Sequence, residues 1–357
     1  MGTEVREILK KVFFVLGFGF LTSLAISYKA WFALSNFPNA TIFHLEVPYF
    51  VFQSFTVFLI LLVFVQPFWF ANRLIYRLIL LILGLLFILD FGLIQPWAWM
   101  YFIFMWASSL FAKYYFKYKD LSPILAILKV LLALIYIFSG IFKFNPNFEE
   151  IVLPYLLMPV TNYLWQYNDW IISVFSIAPF IEIALGVSLL FNGISKYSKF
   201  GLIAMHLFVL LMIGPLGLNQ NIVIWPWNLQ MIFLLWFLFP MKIEKASLFP
   251  FWNLLFKKPF KYIVYVSIVL FGLGFTPYEN PYMAFDLYSG KVLNKSLAFK
   301  KSDVKSIPTS IDNYSEAYGD SIYVNYYTWS AKETQLPPCP MAICDTIYKR
   351  KIKEIIQ

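Results

Sequence analysis

The chain has 357 residues, of which 61% are hydrophobic, 21% aromatic and only 13% charged, where a soluble domain carries roughly a quarter charged residues; an ordinary soluble globular protein is excluded. The formal charge of +9 does not point to nucleic acid, because the basic residues stand in short clusters between apolar runs and not along one exposed face. With two cysteines, Cys339 and Cys344, and two histidines, His44 and His206, neither a disulfide framework nor a metal or haem site is expected.

In chain order, apolar runs at about 11–28, 48–69, 74–94, 97–115, 124–142, 170–191, 200–218, 222–239 and 262–275 predict about nine transmembrane helices, since roughly 20 residues at about 1.5 Å each cross the hydrocarbon. The first run reads as an uncleaved anchor in preference to a secretory signal. Basic residues gather at every second junction: Lys10 and Lys11, Arg73 and Arg77, Lys113 to Lys119, Lys196 and Lys199, and Lys242 to Lys261. The alternate connections hold only Lys29 and Lys143. That asymmetry predicts a cytoplasmic N-terminus and an outer C-terminus. The stretch 151–165 is apolar but short and interrupted by Pro154 and Pro159, and reads as an interfacial or re-entrant helix.

Composition turns polar near residue 276. The expected fold is an all-α polytopic membrane protein, residues 1–275 forming the bundle and 276–357 a small β-containing extracytoplasmic domain. Residues 284–293 and 321–329 are candidate strands, and 348–356 a short basic amphipathic helix. Cys339 and Cys344 are expected to form a small-loop disulfide; a reactive thiol pair is the alternative, although the spacing is not Cys-x-x-Cys.

Polar groups inside apolar runs are costly and need a partner or a purpose. Helical rise puts Lys129, Glu182 and His206 each about 12 Å from the inner edge. In one reading Lys129 snorkels or pairs with Glu182 while His206 donates to a carbonyl; in the other, Glu182 and His206 line a polar pocket that handles protons. A second group collects near the outer surface, where Lys143 and Asn145 follow span five and Asn219, Asn221, Trp225, Trp227 and Asn228 join spans seven and eight. Irregular backbone at membrane depth is tolerated where it lines a cavity, so an outward-opening aromatic and amide-lined pocket is expected. Lys143 would bind an anionic head group or act as a base there, or it simply ends a helix while the tryptophans form an interfacial belt. Asp90 and Gln95 are weaker candidates for its wall.

Three segments carry a resemblance: Tyr136-x-x-Ser139-Gly140-Ile-x-Lys143-Phe; Glu182 followed by a lysine-bearing turn; and His206 leading to Gly214-Pro215 and Trp225-Pro226-Trp227. Over about residues 70–290 the chain resembles the membrane domain of the vitamin K-dependent γ-carboxylase (HTTM) family and, more loosely, DoxX-type membrane proteins. The resemblance implies a quinone or hydroquinone as cofactor, Lys143 as catalytic base with His206 and Glu182 in support, and a bacterial-type inner membrane. Where that family has Asn-His-Ser/Tyr ahead of span four, this chain has Ile94-Gln95-Pro96-Trp97. The leading expectation is therefore a membrane component that binds lipid or quinone and docks a membrane or extracytoplasmic protein partner through its C-terminal domain. The carboxylase-like enzyme is the alternative, and solute or ion transport ranks last.

Overall fold

A computed structural model describes residues 2–41, 48–70, 72–118, 120–241, 260–272, 281–285 and 295–356. The chain is mostly helical: α1 (Gly2–Ile26), α2 (Tyr49–Val65), α3 (Arg73–Leu89), α4 (Pro96–Tyr118), α5 (Ser122–Phe142), α6 (Leu153–Thr161), α7 (Asn168–Phe175), α8 (Ala178–Ser188), α9 (Asn192–Ile213), α10 (Ile224–Leu238), α11 (Phe260–Gly272), α12 (Tyr326–Thr334) and α13 (Ala342–Ile356). Local chemistry sets the helix starts. The Asn72 side chain accepts from the Leu74 amide at 2.9 Å to open α3, and prolines stand in the first turns of α5 and α8, where a missing N–H costs nothing.

Each of the nine expected apolar segments is helical within the described residues, but the count of crossings is coarser than expected. Among the described residues, four stretches are both long and apolar enough to span a membrane: Thr3–Ile26, Ser122–Phe142, Trp165–Ser188 and Gly193–Ile213. Tyr49–Val65, Ile224–Leu238 and Phe260–Gly272 are shorter apolar helices. The shortfall is physical: α10, with 15 residues, rises only about 22 Å against a hydrocarbon core of about 30 Å.

At the centre lies α5, whose residues are buried on several sides against α4, α8, α10 and α11. Its tightest neighbour is α8, and glycines set that distance. A Cβ on Gly140 would lie 2.6 Å from Ile183 Cγ1 and 3.0 Å from the Pro179 carbonyl, and one on Gly186 would lie 3.0 Å from Tyr136 Cβ. Small residues allow helix backbones to approach in this way.

The stretch expected as an interfacial element forms a helical hairpin. A π turn at Phe148–Val152 leads into α6, and α7 packs back on it. Phe148, Leu153, Leu157 and Ile171 make a small core of their own, stacked on α9 through Phe175 and Phe208 with ring centroids 5.0 Å apart. Tyr163, Trp165 and Trp170 at the tip are exposed, as befits an interfacial anchor.

The C-terminal part carries a three-stranded antiparallel sheet in the order β1 (Leu297–Lys300), β3 (Ser321–Val324), β2 (Ser315–Tyr318), with Phe299 opposite Ile322 and Ala317 opposite the same residue on the other side. The strand expected at 321–329 stops at Val324, because the Asn325 side chain accepts from the Thr328 amide at 2.9 Å and opens α12. Of the strand expected at 284–293, residues 286–293 lie outside the described residues, and Ala284 ends a 3-10 turn. Cys339 and Cys344 are joined in a disulfide, buried beside Phe37, Trp329 and Tyr348. Phe37 and Ala40, from the loop after α1, thus belong to the core of the C-terminal part, and the Lys351 ammonium reaches the Asn39 carbonyl at 2.8 Å. The expected boundary at 275/276 lies outside the described residues.

Candidate functional site

On the last turns of α5, Tyr136, Ser139 and Lys143 follow one another at i, i+3 and i+7, a spacing that puts them on one helix face. The close α5–α8 approach brings Glu182 to that face, and the Lys143 ammonium lies 2.7 Å from Glu182 Oε2. Its other contacts are Ser139 Oγ at 2.8 Å and the Ser139 carbonyl at 3.2 Å. An ammonium has three N–H donors, so all three are accounted for, the longest being the easiest for a ligand oxygen to displace.

A second polar chain begins one turn away. His206 on α9 faces the Tyr136 hydroxyl through Nε2 and Asn228 Oδ1 through Nδ1, both at 2.8 Å. The Asn228 amide nitrogen donates to the Ile224 carbonyl at 3.0 Å, which fixes Oδ1 towards the imidazole. Because Oδ1 only accepts, Nδ1 carries the hydrogen, and neutral His206 then accepts the Tyr136 O–H at Nε2, an assignment made from the donor and acceptor inventory.

Both groups line a cavity of about 430 Å³ whose remaining walls are almost entirely apolar, among them Leu153, Leu157, Met205, Trp227, Met231 and Phe285. Trp227 is buried, and its indole N–H has no hydrogen-bond partner among the described residues. A buried donor without a partner costs free energy, and the nitrogen itself is not exposed to the cavity.

The structure brings together Lys143, Glu182, His206, Trp227 and Asn228, five residues expected from sequence but assigned there to two separate depths. They merge because span six is not one continuous helix. It breaks at Ser176–Ile177, and the 11-residue α8 starts beside the end of α5. Counting rise from Phe191 therefore put Glu182 too far from Lys143. Lys129 joins neither Glu182 nor His206; its ammonium sits 5.5 Å from the centre of the Phe239 ring.

The other expected pocket residues lie elsewhere. Asn145 caps the π turn, accepting from the Phe148 amide at 3.1 Å and donating to the Phe142 carbonyl at 2.7 Å. Asn219 and Asn221 have φ of 50° and 53°, the left-handed region that asparagine tolerates. They shape a tight reversal in which the Asn219 amide returns to Gly214 and Gln220 to Ile213. None of residues 214–221 lines the cavity. Trp225 donates to the Gln220 carbonyl at 3.1 Å and faces a separate apolar groove of about 810 Å³ between α1 and α10. Asp90 and Gln95 sit under the C-terminal part: Asp90 Oδ1 accepts from the Ala40 and Gly92 amides at 3.0 and 2.8 Å, and Gln95 donates to the Pro337 carbonyl at 3.2 Å. Burial pushes the Asp90 carboxyl up to about 6, against the opposing pull of those amides and of Lys351. His44 lies outside the described residues, and no cluster of three His, Cys, Asp or Glu side chains occurs among those described.

Tyr136 and Ser139 stand in the segment that carries the resemblance but had no role assigned at the site, and Phe285 was not singled out. The i, i+3, i+7 step from Tyr136 to Lys143 was the available signal for the first two; Phe285 had none. Comparison with protein-family models, with curated proteins and with solved structures finds no match.

Proposed function

We propose that this chain is a polytopic membrane protein that holds an isoprenoid quinone, or a lipid of similar build, in the cavity between α5, α8, α9 and α10. The observation that carries the reading is the convergence of two polar stations on one apolar chamber. Along α5 they are separated by three to seven residues, about 4.5 to 10 Å of rise, and a 1,4-dioxygenated ring likewise bears an oxygen on each of two opposite edges. Apolar walls with a few convergent polar groups are the usual build of a small-molecule site. Membrane lipids are the other ligands of the same chemistry.

The basic residues at alternate junctions and the buried Cys339–Cys344 disulfide support an orientation with the N-terminus inside and the C-terminal part outside a bacterial-type inner membrane. In this reading the C-terminal part docks a protein partner. The test is to purify the full chain in detergent, extract bound lipids and analyse them by mass spectrometry. A quinone near one per chain, lost in Lys143→Ala, is expected; a wild-type extract without quinone would sink the reading.

A second reading, the carboxylase-like enzyme, is favoured by one observation: an ammonium, a carboxylate and a phenol–imidazole chain line the same wall. A bound quinol would give two electrons and two protons to dioxygen, the electron acceptor this reading requires, leaving the quinone and hydrogen peroxide. As a base, Lys143 would first pass a proton to Glu182 Oε2, 2.7 Å away, and then take one from a ring hydroxyl at Nζ. Tyr136, held by His206, would steady the opposite edge. Quinol oxidation that disappears in Lys143→Ala and His206→Ala, with the fold retained, is the result this reading requires.

A further inference from the structure

The rim of the cavity tells which phase supplies its occupant. The polar wall is deeply buried, Glu182 being 5%, His206 4% and Asn228 3% exposed. Of the lining residues, those exposed at the surface are Val174, Ile177 and Ile181 on the α7–α8 side and Gly201 and Ala204 on α9. All five are apolar. Gly201 and Ala204 belong to Gly193–Ile213, a stretch long and apolar enough to cross a membrane, and Ile181, on α8 beyond the break at Ser176–Ile177, is likewise apolar and exposed, so this part of the rim suits hydrocarbon. A mouth for a water-soluble ligand would need polar groups at its edge, because each buried polar group without a partner costs several kcal/mol in lipid.

Phe285 is buried, lines the cavity and packs edge-on against Phe271 with centroids 5.1 Å apart. Its φ of 58° is an outlier for a bulky side chain, and strain of this kind persists where the surroundings hold it. The ring forms part of the cavity wall beside α11.

We infer that the gap between α7–α8 and α9 is a lateral port, through which an amphiphile dissolved in the bilayer passes its polar head inward and leaves its isoprenoid or acyl tail across Ile181 and Ala204. This inference rests on the quinone or lipid reading of the cavity. Ala204 keeps the α9 side of the port low, while at Gly201 the two helices are in contact, a Cβ there meeting Leu185 Cδ1 at 2.8 Å, which bounds the port on that side.

The experiment uses the full chain in lipid nanodiscs with two probes, a tail-less benzoquinone and the same ring bearing an isoprenoid tail. Ala204→Trp and Ile181→Trp change lipid-facing residues and leave the polar wall intact. Affinity for the tailed probe is expected to fall about tenfold or more in both variants, while that for the tail-less probe changes by less than about twofold. Unchanged affinity for the tailed probe, or equal loss for both probes, would overturn the port and leave the cavity reading standing. Wild-type protein that binds neither probe would remove the cavity reading and the port with it. On the unaltered chain, a photoreactive group at the end of the tail is expected to label Val174, Ile177, Ile181 or Ala204; labelling confined to the α1–α10 groove would contradict the port.

Discussion

His206 illustrates why single polar residues in an apolar run repay close reading. Removing its imidazole leaves the Tyr136 hydroxyl and Asn228 Oδ1 buried without their partner, at a cost of about 2 to 5 kcal/mol. Thermal unfolding in detergent should therefore show His206→Ala markedly less stable than wild type, and His206→Gln closer to it. Asp90 gives a pH dependence of known sign. Its folded value is raised from 3.8 to about 6, so its contribution to stability is complete below the unfolded value and is lost as pH rises through about 6. The loss amounts to about 3 kcal/mol, because one pH unit corresponds to about 1.4 kcal/mol. Asp90→Asn keeps an acceptor for the Ala40 and Gly92 amides, and is expected to flatten the stability profile between pH 4 and 6 and raise stability at pH 7. Charged and strongly polar residues were legible in the sequence because their burial is expensive. Tyr136 and Ser139 were not, since a tyrosine or serine in a span can satisfy itself on a neighbouring carbonyl.

Helix pairing determines whether those residues meet. Gly140→Ala would press a Cβ against Ile183 and, at 3.0 Å, against the Pro179 carbonyl, which is backbone and cannot swing aside. Forcing α8 away from α5 is expected to cost about 1 to 3 kcal/mol and to weaken the bond between Lys143 and Glu182. The measurement is unfolding stability together with ligand affinity, and both should fall. A variant as stable and as tight-binding as wild type would mean that glycine is dispensable there. The apolar runs showed that the chain is mostly helical, yet the number of full spans and the register between helices were hidden, because they depend on the break at Ser176–Ile177 and on residues 148–175 folding as a hairpin beside the site. The amides at 219–228 misled for a local reason: Asn219 and Asn221 are there for their positive φ, and only Trp227 and Asn228, once inside α10, reach the cavity.

For the molecule as a whole, the bundle and the C-terminal part are tied by short polar links at Asp90, Gln95 and Lys351, and by Phe37 packed between Trp329 and Tyr348. The proposed outward orientation of the C-terminal part is checked with Ser302→Cys, an exposed position there. A membrane-impermeant thiol reagent should label it in intact cells, and labelling only after lysis would reverse the topology. Membrane character was legible from composition alone. The tertiary partnership of the loop after α1 with the C-terminal core was not, because Phe37 and Ala40 carry no sign of a contact some three hundred residues distant.

Whether two polar stations serve one ligand is tested most directly by a double-mutant cycle on quinone affinity, using Lys143→Ala, His206→Ala and the double variant. Residues that hold opposite edges of the same ring should be coupled by about 1 kcal/mol or more, while independent sites add within about 0.5 kcal/mol. Coupling at the higher level is the expected result; strict additivity would mean that Lys143 and His206 do not share a ligand.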